Sequence, residues 1–255
     1  MTPQLSRDFL SAPIAHRALH DLKCGRPENS RAAIQAAIAA GYGIEIDLQA
    51  SADGQAMVFH DYDLARLTKT TGAIQHKTAA ELGTIELRGG DEGVPRLDEV
   101  LKLVSGQVPL LIEIKDQDGA LGPNVGELEA AVARVLKGYE GSYAVMSFNP
   151  HSVLHLKQLL PDVPRGLVTE VFDPEVWPAP KDVCRRLTQI PDYEAAGCSF
   201  ISHNWRDLSH PRVAELKTAG ADILCWTVKS PEQEVQARKV AHNITFEQYL
   251  APFPA

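Results

Sequence analysis

Chemistry is first legible in two carboxylates spaced two residues apart within an apolar run, Gly43–Ile44–Glu45–Ile46–Asp47–Leu48. Side chains alternate between the faces of a strand, so Ile44, Ile46 and Leu48 share one face while Glu45 and Asp47 share the other. On a buried strand two such charges repel and are costly to desolvate, which calls for something positive between them, most simply a divalent cation. A second run, Pro109–Leu110–Leu111–Ile112–Glu113–Ile114–Lys115, repeats the device with Glu113 and Lys115 on one face, and an early run, Ala12 to Arg17, ends in His16 and Arg17. An isolated pair of acids usually marks the wet face of a half-exposed strand. Three apolar strands that each end in charge mark a site.

The elements that must hold these groups alternate along the chain. Pro27–Glu28–Asn29–Ser30 reads as a helix start with Asn29 or Ser30 as cap; Ala32 to Ala40 are strong helix formers, and Gly41 supplies the stop, giving a β-α-β unit that ends in the acidic strand. Helices are expected over Leu97–Val104, near Val125–Leu136, and over Ser152–Leu160, Asp182–Ala195, Pro211–Thr218 and Pro231–Val240. Strands begin at Ile14, Ile44, Leu110, Tyr143, Arg165, Cys198, Asp222 and Asn243, with Met57–His60 as a hairpin arm. Eight strands separated by helices in 255 residues predict an α/β fold, a single (β/α)8 (TIM) barrel over residues 1–255 with its active site at the carboxyl ends of the strands. A doubly wound sheet is the competing architecture, but the first βα loop lacks a G-x-G-x-x-G. Residues 61–95, rich in turn formers with a short helical segment near Thr78–Leu82, read as an insertion after the second barrel strand, expected to cap the barrel mouth.

A hydrophobic content of 44% suits a globular core, and a net charge of −8 disfavours a nucleic-acid-binding face. Cys24, Cys184, Cys198 and Cys225 contain no C-x-x-C and read as reduced thiols. Residues 1–10 lack the basic-then-apolar pattern of a signal segment, and no apolar run reaches the length of a membrane span. A cytoplasmic protein without stable membrane insertion is therefore expected; the oligomeric state is not readable.

Taken together, His16–Arg17, Pro27–Glu28–Asn29–Ser30, Glu45–Ile46–Asp47, Asp53–Gly54, His60–Asp61 with Leu64, Arg66 and Thr68, and Glu113–Ile114–Lys115 resemble the glycerophosphodiester phosphodiesterase family. The resemblance extends to Ser147–Phe148 and Trp226–Thr227. It implies a metal-dependent barrel hydrolase that cleaves glycerophosphodiesters to sn-glycerol 3-phosphate and an alcohol. By the same resemblance, Glu45, Asp47 and Glu113 are metal ligands, His16 and His60 are catalytic, Arg17 and Lys115 bind the substrate phosphate, and Glu28 orients. Two departures stand out: Ala18 replaces the glycine that follows His–Arg, and Thr245–Phe246–Glu247 stands where the family usually has Thr–Asp. Neighbouring possibilities are a lysophospholipase D and a non-enzymatic barrel that binds a metal or phosphoester.

The residue chemistry agrees with the resemblance. Oxygen-only ligands favour Mg²⁺ or Ca²⁺ over zinc. Two histidines suit hydrolysis that removes a proton from the attacking oxygen and delivers one to the leaving alkoxide. His203 and Trp205, at the end of a later strand, could contact the alcohol or simply pack. The hairpin register can also be argued: a two-residue turn at Asp53–Gly54 sets His60 opposite Asp47 and Phe59 opposite Leu48, an apolar pair, whereas a three-residue loop sets Phe59 against Asp47.

Overall fold

The computed structural model describes residues 2–254. The strands are β1 (Ile14–Ala15), β2 (Gly43–Ala50), β3 (Ala56–Val58), β4 (Leu110–Ile114), β5 (Tyr143–Ser147), β6 (Arg165–Thr169), β7 (Phe200–Asn204), β8 (Asp222–Val228) and β9 (Asn243–Phe246). All except β3 pair in parallel, and the β1–β2 and β1–β9 pairings close them into a ring of eight. The helices are α1 (Asp8–Ser11), α2 (Arg31–Ala40), α3 (Ala79–Leu82), α4 (Leu97–Val104), α5 (Glu127–Leu136), α6 (Pro150–Leu159), α7 (Lys181–Leu187), α8 (Tyr193–Ala196), α9 (Pro211–Thr218) and α10 (Pro231–Ala237). The architecture is a (β/α)8 barrel.

Two apolar layers follow from strand alternation. Ile44, Ile46 and Leu48 of β2 point outward to Ile34, Val100 and Val104 of the surrounding helices. The barrel interior is filled by Ile14, Leu111, Ala144, Met146, Val168, Phe200 and Leu224, joined by Leu5 and Phe9 from the N-terminal segment. Helix α1 is pinned there by Asn243, whose Nδ2 donates to the carbonyls of Phe9 (2.7 Å) and Ala12 (2.6 Å). Since the Phe9 ring is fully buried, Phe9→Ala is expected to cost about 3–5 kcal/mol in a urea titration, the range for removing a buried aromatic side chain.

Local signals explain most boundaries. The Ser30 hydroxyl accepts from Ala33 N–H at the start of α2, and Gly41, at φ 76°, ends it. Thr78 and Glu81 form a reciprocal capping box on α3. The single helix expected over Asp182–Ala195 is instead two, α7 and α8. Pro191 cannot continue a helix, and Ile190 before it adopts φ 47°, so the chain turns between them.

The hairpin register also differs from expectation. Leu48 pairs with Val58, Gln49 with Met57 and Ala50 with Ala56, and Phe59 N–H donates to the Asp47 carbonyl at 2.9 Å. The loop has three residues, Ala52–Asp53–Gly54, closed by Ser51–Gln55, with Gly54 in the left-handed region at φ 70°. His60 is therefore not the cross-strand partner of Asp47. Phe59 does not pair with Leu48 because both faces of this arm are apolar and Phe59 has another apolar environment to enter. Ala56 and Val58 join the main core, while Met57 and Phe59 join a separate cluster with Leu64, Ile74, Leu82 and Val94 of the insertion. That cluster gives the insertion its own small core, and Arg31 of α2 ties to it through Glu92 (3.1 Å) and the Gly93 carbonyl (2.9 Å).

Candidate active site

The acids occupy the part of the barrel that alternation assigns them. Asp47 and Glu113 are direct neighbours across β2 and β4, and Glu45 lies one inward step earlier on β2. All three are buried, and one carboxylate oxygen from each lies within 4.8 Å of the others. Lys115, just past β4, inserts its Nζ between Asp47 Oδ1 (2.7 Å) and Glu113 Oε1 (2.6 Å). Burial disfavours the ammonium, yet these two carboxylates outweigh it and hold Lys115 firmly charged. Asp47 is likewise disfavoured by burial but held well below the usual carboxylate range by Lys115, His60 and Arg17. Glu45 goes the other way: burial first, then Asp47 and Glu113, push its carboxyl well up.

Arg17 and Ala18 both take positive φ, 52° and 64°. The family position that favours glycine thus does demand left-handed backbone, and here alanine bears the strain. The turn aims the Arg17 N–H at Glu45 Oε2 (2.8 Å) and the Ala18 N–H at the Glu45 carbonyl (3.0 Å). The Arg17 guanidinium bridges Glu28 Oε1 (2.8 Å) and Asp47 Oδ2 (3.5 Å), and Asn29 Nδ2 donates to the same Asp47 oxygen at 2.9 Å. Glu28 also takes two hydrogen bonds from Arg66, each 2.8 Å, and Arg66 grips Asp61, whose Oδ1 lies 2.6 Å from His60 Nδ1. A continuous chain of ion pairs thereby links Arg17 to His60.

His16 has its own carboxylate. Its Nδ1 lies 2.7 Å from Glu247 Oε2, and Glu247 is secured by Lys229 Nζ at 2.7 Å. Burial pushes the His16 imidazole down to about 4, against the upward pull of Glu247. A neutral ring with Nδ1–H donated to Glu247 leaves Nε2 as an acceptor.

His16, Arg17, Glu45, His60, Glu113 and Lys115 all line one small pocket of about 90 Å³. Asp47 is sealed beneath by Lys115, Arg17 and Asn29. The groups singled out in the sequence therefore converge. The donor set fits a hard cation: carboxylate oxygens within 4.8 Å of one another match ligands at 2.0–2.6 Å from a common centre, and Glu45 Oε1 is buried with no hydrogen-bond partner. His203 and Trp205 do not join the site. His203 is buried against Thr169 Oγ1 at 2.8 Å, and Trp205 packs on the outer core. Glu247 was visible in the sequence only as a departure, because 231 residues separate it from His16.

The family model for the glycerophosphoryl diester phosphodiesterase family matches residues 16–243, a span that holds every one of these residues except Glu247. The chain belongs to that family. A glycerophosphodiester phosphodiesterase of Caldanaerobacter subterraneus is 32% identical over 174 residues, covering 64% of this chain and 69% of its own. YhdW of Bacillus subtilis, named for the same activity, is 26% identical over 226 residues, covering 85% and 86%. Among solved structures, an Oleispira antarctica phosphodiesterase in complex with the product sn-glycerol-3-phosphate superposes with a TM-score of 0.78 at 26% identity, covering 96% of each chain. As a glycerophosphodiester phosphodiesterase, the chain is a phosphoric diester hydrolase, and its buried acidic cluster could hold a metal ion. Among the described residues no helix is long and apolar enough to cross a membrane.

Proposed function

We propose that the chain hydrolyses glycerophosphodiesters to sn-glycerol 3-phosphate and an alcohol, with Mg²⁺ or Ca²⁺ held by Glu45, Asp47 and Glu113 and with His16 and His60 exchanging protons. The observation that carries this reading is the convergence of both histidines, two of the acids, Arg17 and Lys115 on one pocket. A bound cation supplies Lewis-acid stabilisation of charge on the phosphoryl oxygens. Arg17 and Lys115 add positive charge beside it, and with a divalent cation the three acids and two bases carry a net +1 that attracts a phosphodiester monoanion. His16, neutral and accepting at Nε2, takes the proton of the attacking hydroxyl, either water, which gives glycerol 3-phosphate directly, or the substrate's own neighbouring hydroxyl, which gives a cyclic phosphate that a water then opens to glycerol 3-phosphate. As the phosphorus–oxygen bond to the alcohol breaks, His60, held through Nδ1 by Asp61, delivers a proton to the departing oxygen.

The insertion completes the picture. It leaves from the carboxyl end of the β2 hairpin, and Asp61 and Tyr62 line a second, larger pocket that also takes in His60. We place it as a cap that shapes the alcohol side of the mouth. The four cysteines are free thiols, which supports a cytoplasmic location. The test is release of glycerol 3-phosphate from glycerophosphocholine, glycerophosphoethanolamine and glycerophosphoinositol with Mg²⁺, Ca²⁺ or chelator. Cation binding without turnover of any of these diesters would overturn this reading in favour of the lysophospholipase D or the non-enzymatic barrel.

Glu247 offers an independent check on the role of His16. Replacing it with Gln presents an N–H or a neutral oxygen to Nδ1 and loosens the tautomer, so kcat is expected to fall about 10- to 100-fold, as when a partner that orients an imidazole is lost. KM changes little. A Glu247→Gln enzyme with wild-type kcat and an unaltered pH profile would separate Glu247 from the reaction.

A further inference from the structure

Next to the small pocket lies one of about 580 Å³ that shares with it His60, Glu113, Lys115, Phe148 and Trp226. The two differ in chemistry. Two hydroxyls that line the small pocket, Ser202 Oγ and Thr245 Oγ1, are buried without partners and suit the hydroxyls of a glycerol moiety. The large pocket is walled by aromatic faces. Phe148 meets Trp177 at 5.0 Å and 52° and Trp226 at 5.5 Å and 82°, so the three rings form a concave surface. Both indoles are fixed by their N–H groups, Trp177 to Glu170 Oε1 (2.8 Å) and Trp226 to the Ser202 carbonyl (3.0 Å).

Charge decides what such a surface holds. Glu170, in the same wall, is hydrogen-bonded only to neutral donors, Trp177 and Asn204, and Asp116 accepts only from amides. Among the described residues neither has a cationic partner within ion-pair distance, whereas Lys115, the one lysine or arginine in this wall, is already engaged by two acids. Fixed aromatic faces beside an uncompensated carboxylate are the surroundings in which an ammonium is bound.

Building on the proposed hydrolysis, we infer that the large pocket receives the leaving alcohol and selects a compact cationic one, an amino alcohol of the choline or ethanolamine class, over neutral polyols. The glycerol phosphate half then lies on the Ser202 and Thr245 side. Cation–π attraction and the Glu170 charge together set the preference.

The test compares kcat/KM for glycerophosphocholine and for glycerophosphoglycerol, whose leaving alcohol is neutral. Wild-type enzyme is expected to favour the substrate with the cationic alcohol by about 10- to 30-fold, and Glu170→Gln and Trp177→Leu each reduce that ratio several-fold. Continued cleavage of glycerophosphoglycerol by the variants shows that they fold. Equal rates on both substrates, or variants that lower both equally, overturn the inference while leaving the hydrolytic reading intact. If neither diester is cleaved, the hydrolytic reading falls, and titration of free choline against tryptophan fluorescence judges the pocket alone. Saturable quenching weakened by Glu170→Gln supports it, and no response overturns it.

Discussion

Alanine at either His16 or His60 is expected to lower kcat by about 10²–10⁴-fold, the usual contribution of a general acid or base, while cation affinity stays close to wild type. Both rings are anchored through Nδ1 to a carboxylate, Glu247 for His16 and Asp61 for His60. Neither ring contacts Glu45, Asp47 or Glu113 through a hydrogen bond, so their loss removes proton transfer and spares the cation site. Single-turnover kinetics with a natural diester, read beside a cation titration of the same variant, separates the two. A near-normal kcat in either variant removes that residue from the acid–base pair. His16 also leaves a mark on stability. Burial lowers its imidazole from 6.5 to about 4, so the neutral ring's contribution is complete above the unfolded value and is lost as pH falls from about 6.5 to about 4. His16→Ala should flatten that part of the stability profile.

What the sequence made legible follows from the range over which each signal acts. Period-two alternation is local, so the order of residues alone places Glu45 with Asp47, and Glu113 with Lys115, on shared faces, and both pairs lie inside the barrel. Helix α4 is legible end to end, because Leu97, Val100, Leu101 and Val104 recur at helical spacing and are the residues it buries. Register was harder. A strand with two apolar faces does not say which one belongs to the barrel, and Phe59, opposite Asp47, found its partners in an insertion whose core the local pattern does not reveal. Contacts made by loops distant in sequence were invisible: Glu247 on His16, Arg66 between Glu28 and Asp61, and the Phe148–Trp177–Trp226 wall. The resemblance supplied the identities of several of these residues but not the contacts that give them a function.

Chelation is expected to abolish hydrolysis, and the three acids should respond to neutralisation in two distinct ways. Glu45, Asp47 and Glu113 each contribute an oxygen to the same cluster, so Gln or Asn at any of them weakens cation binding, seen as loss of the cation-dependent rise in Tm. For the wild-type protein that rise corresponds to about 2.7 kcal/mol at a cation concentration 100 times Kd. In chelator the variants part company. Glu45 Oε1 has no partner, and its Oε2 accepts from the Arg17 N–H, which an amide oxygen can also satisfy. Removing its charge relieves repulsion from Asp47 and Glu113, so metal-free Glu45→Gln should be at least as stable as metal-free wild type. Asp47 instead holds Lys115 at 2.7 Å, Arg17 at 3.5 Å and Asn29 at 2.9 Å. Asp47→Asn leaves buried cations short of a counter-charge and is expected to cost about 3–5 kcal/mol, the range for breaking one side of a buried ion pair. Equal apo stabilities for the two variants would contradict this division of labour, in which Asp47 supports the two cations while Glu45 is kept open for a metal. Full turnover by rigorously metal-free protein would remove the cation from the reaction altogether.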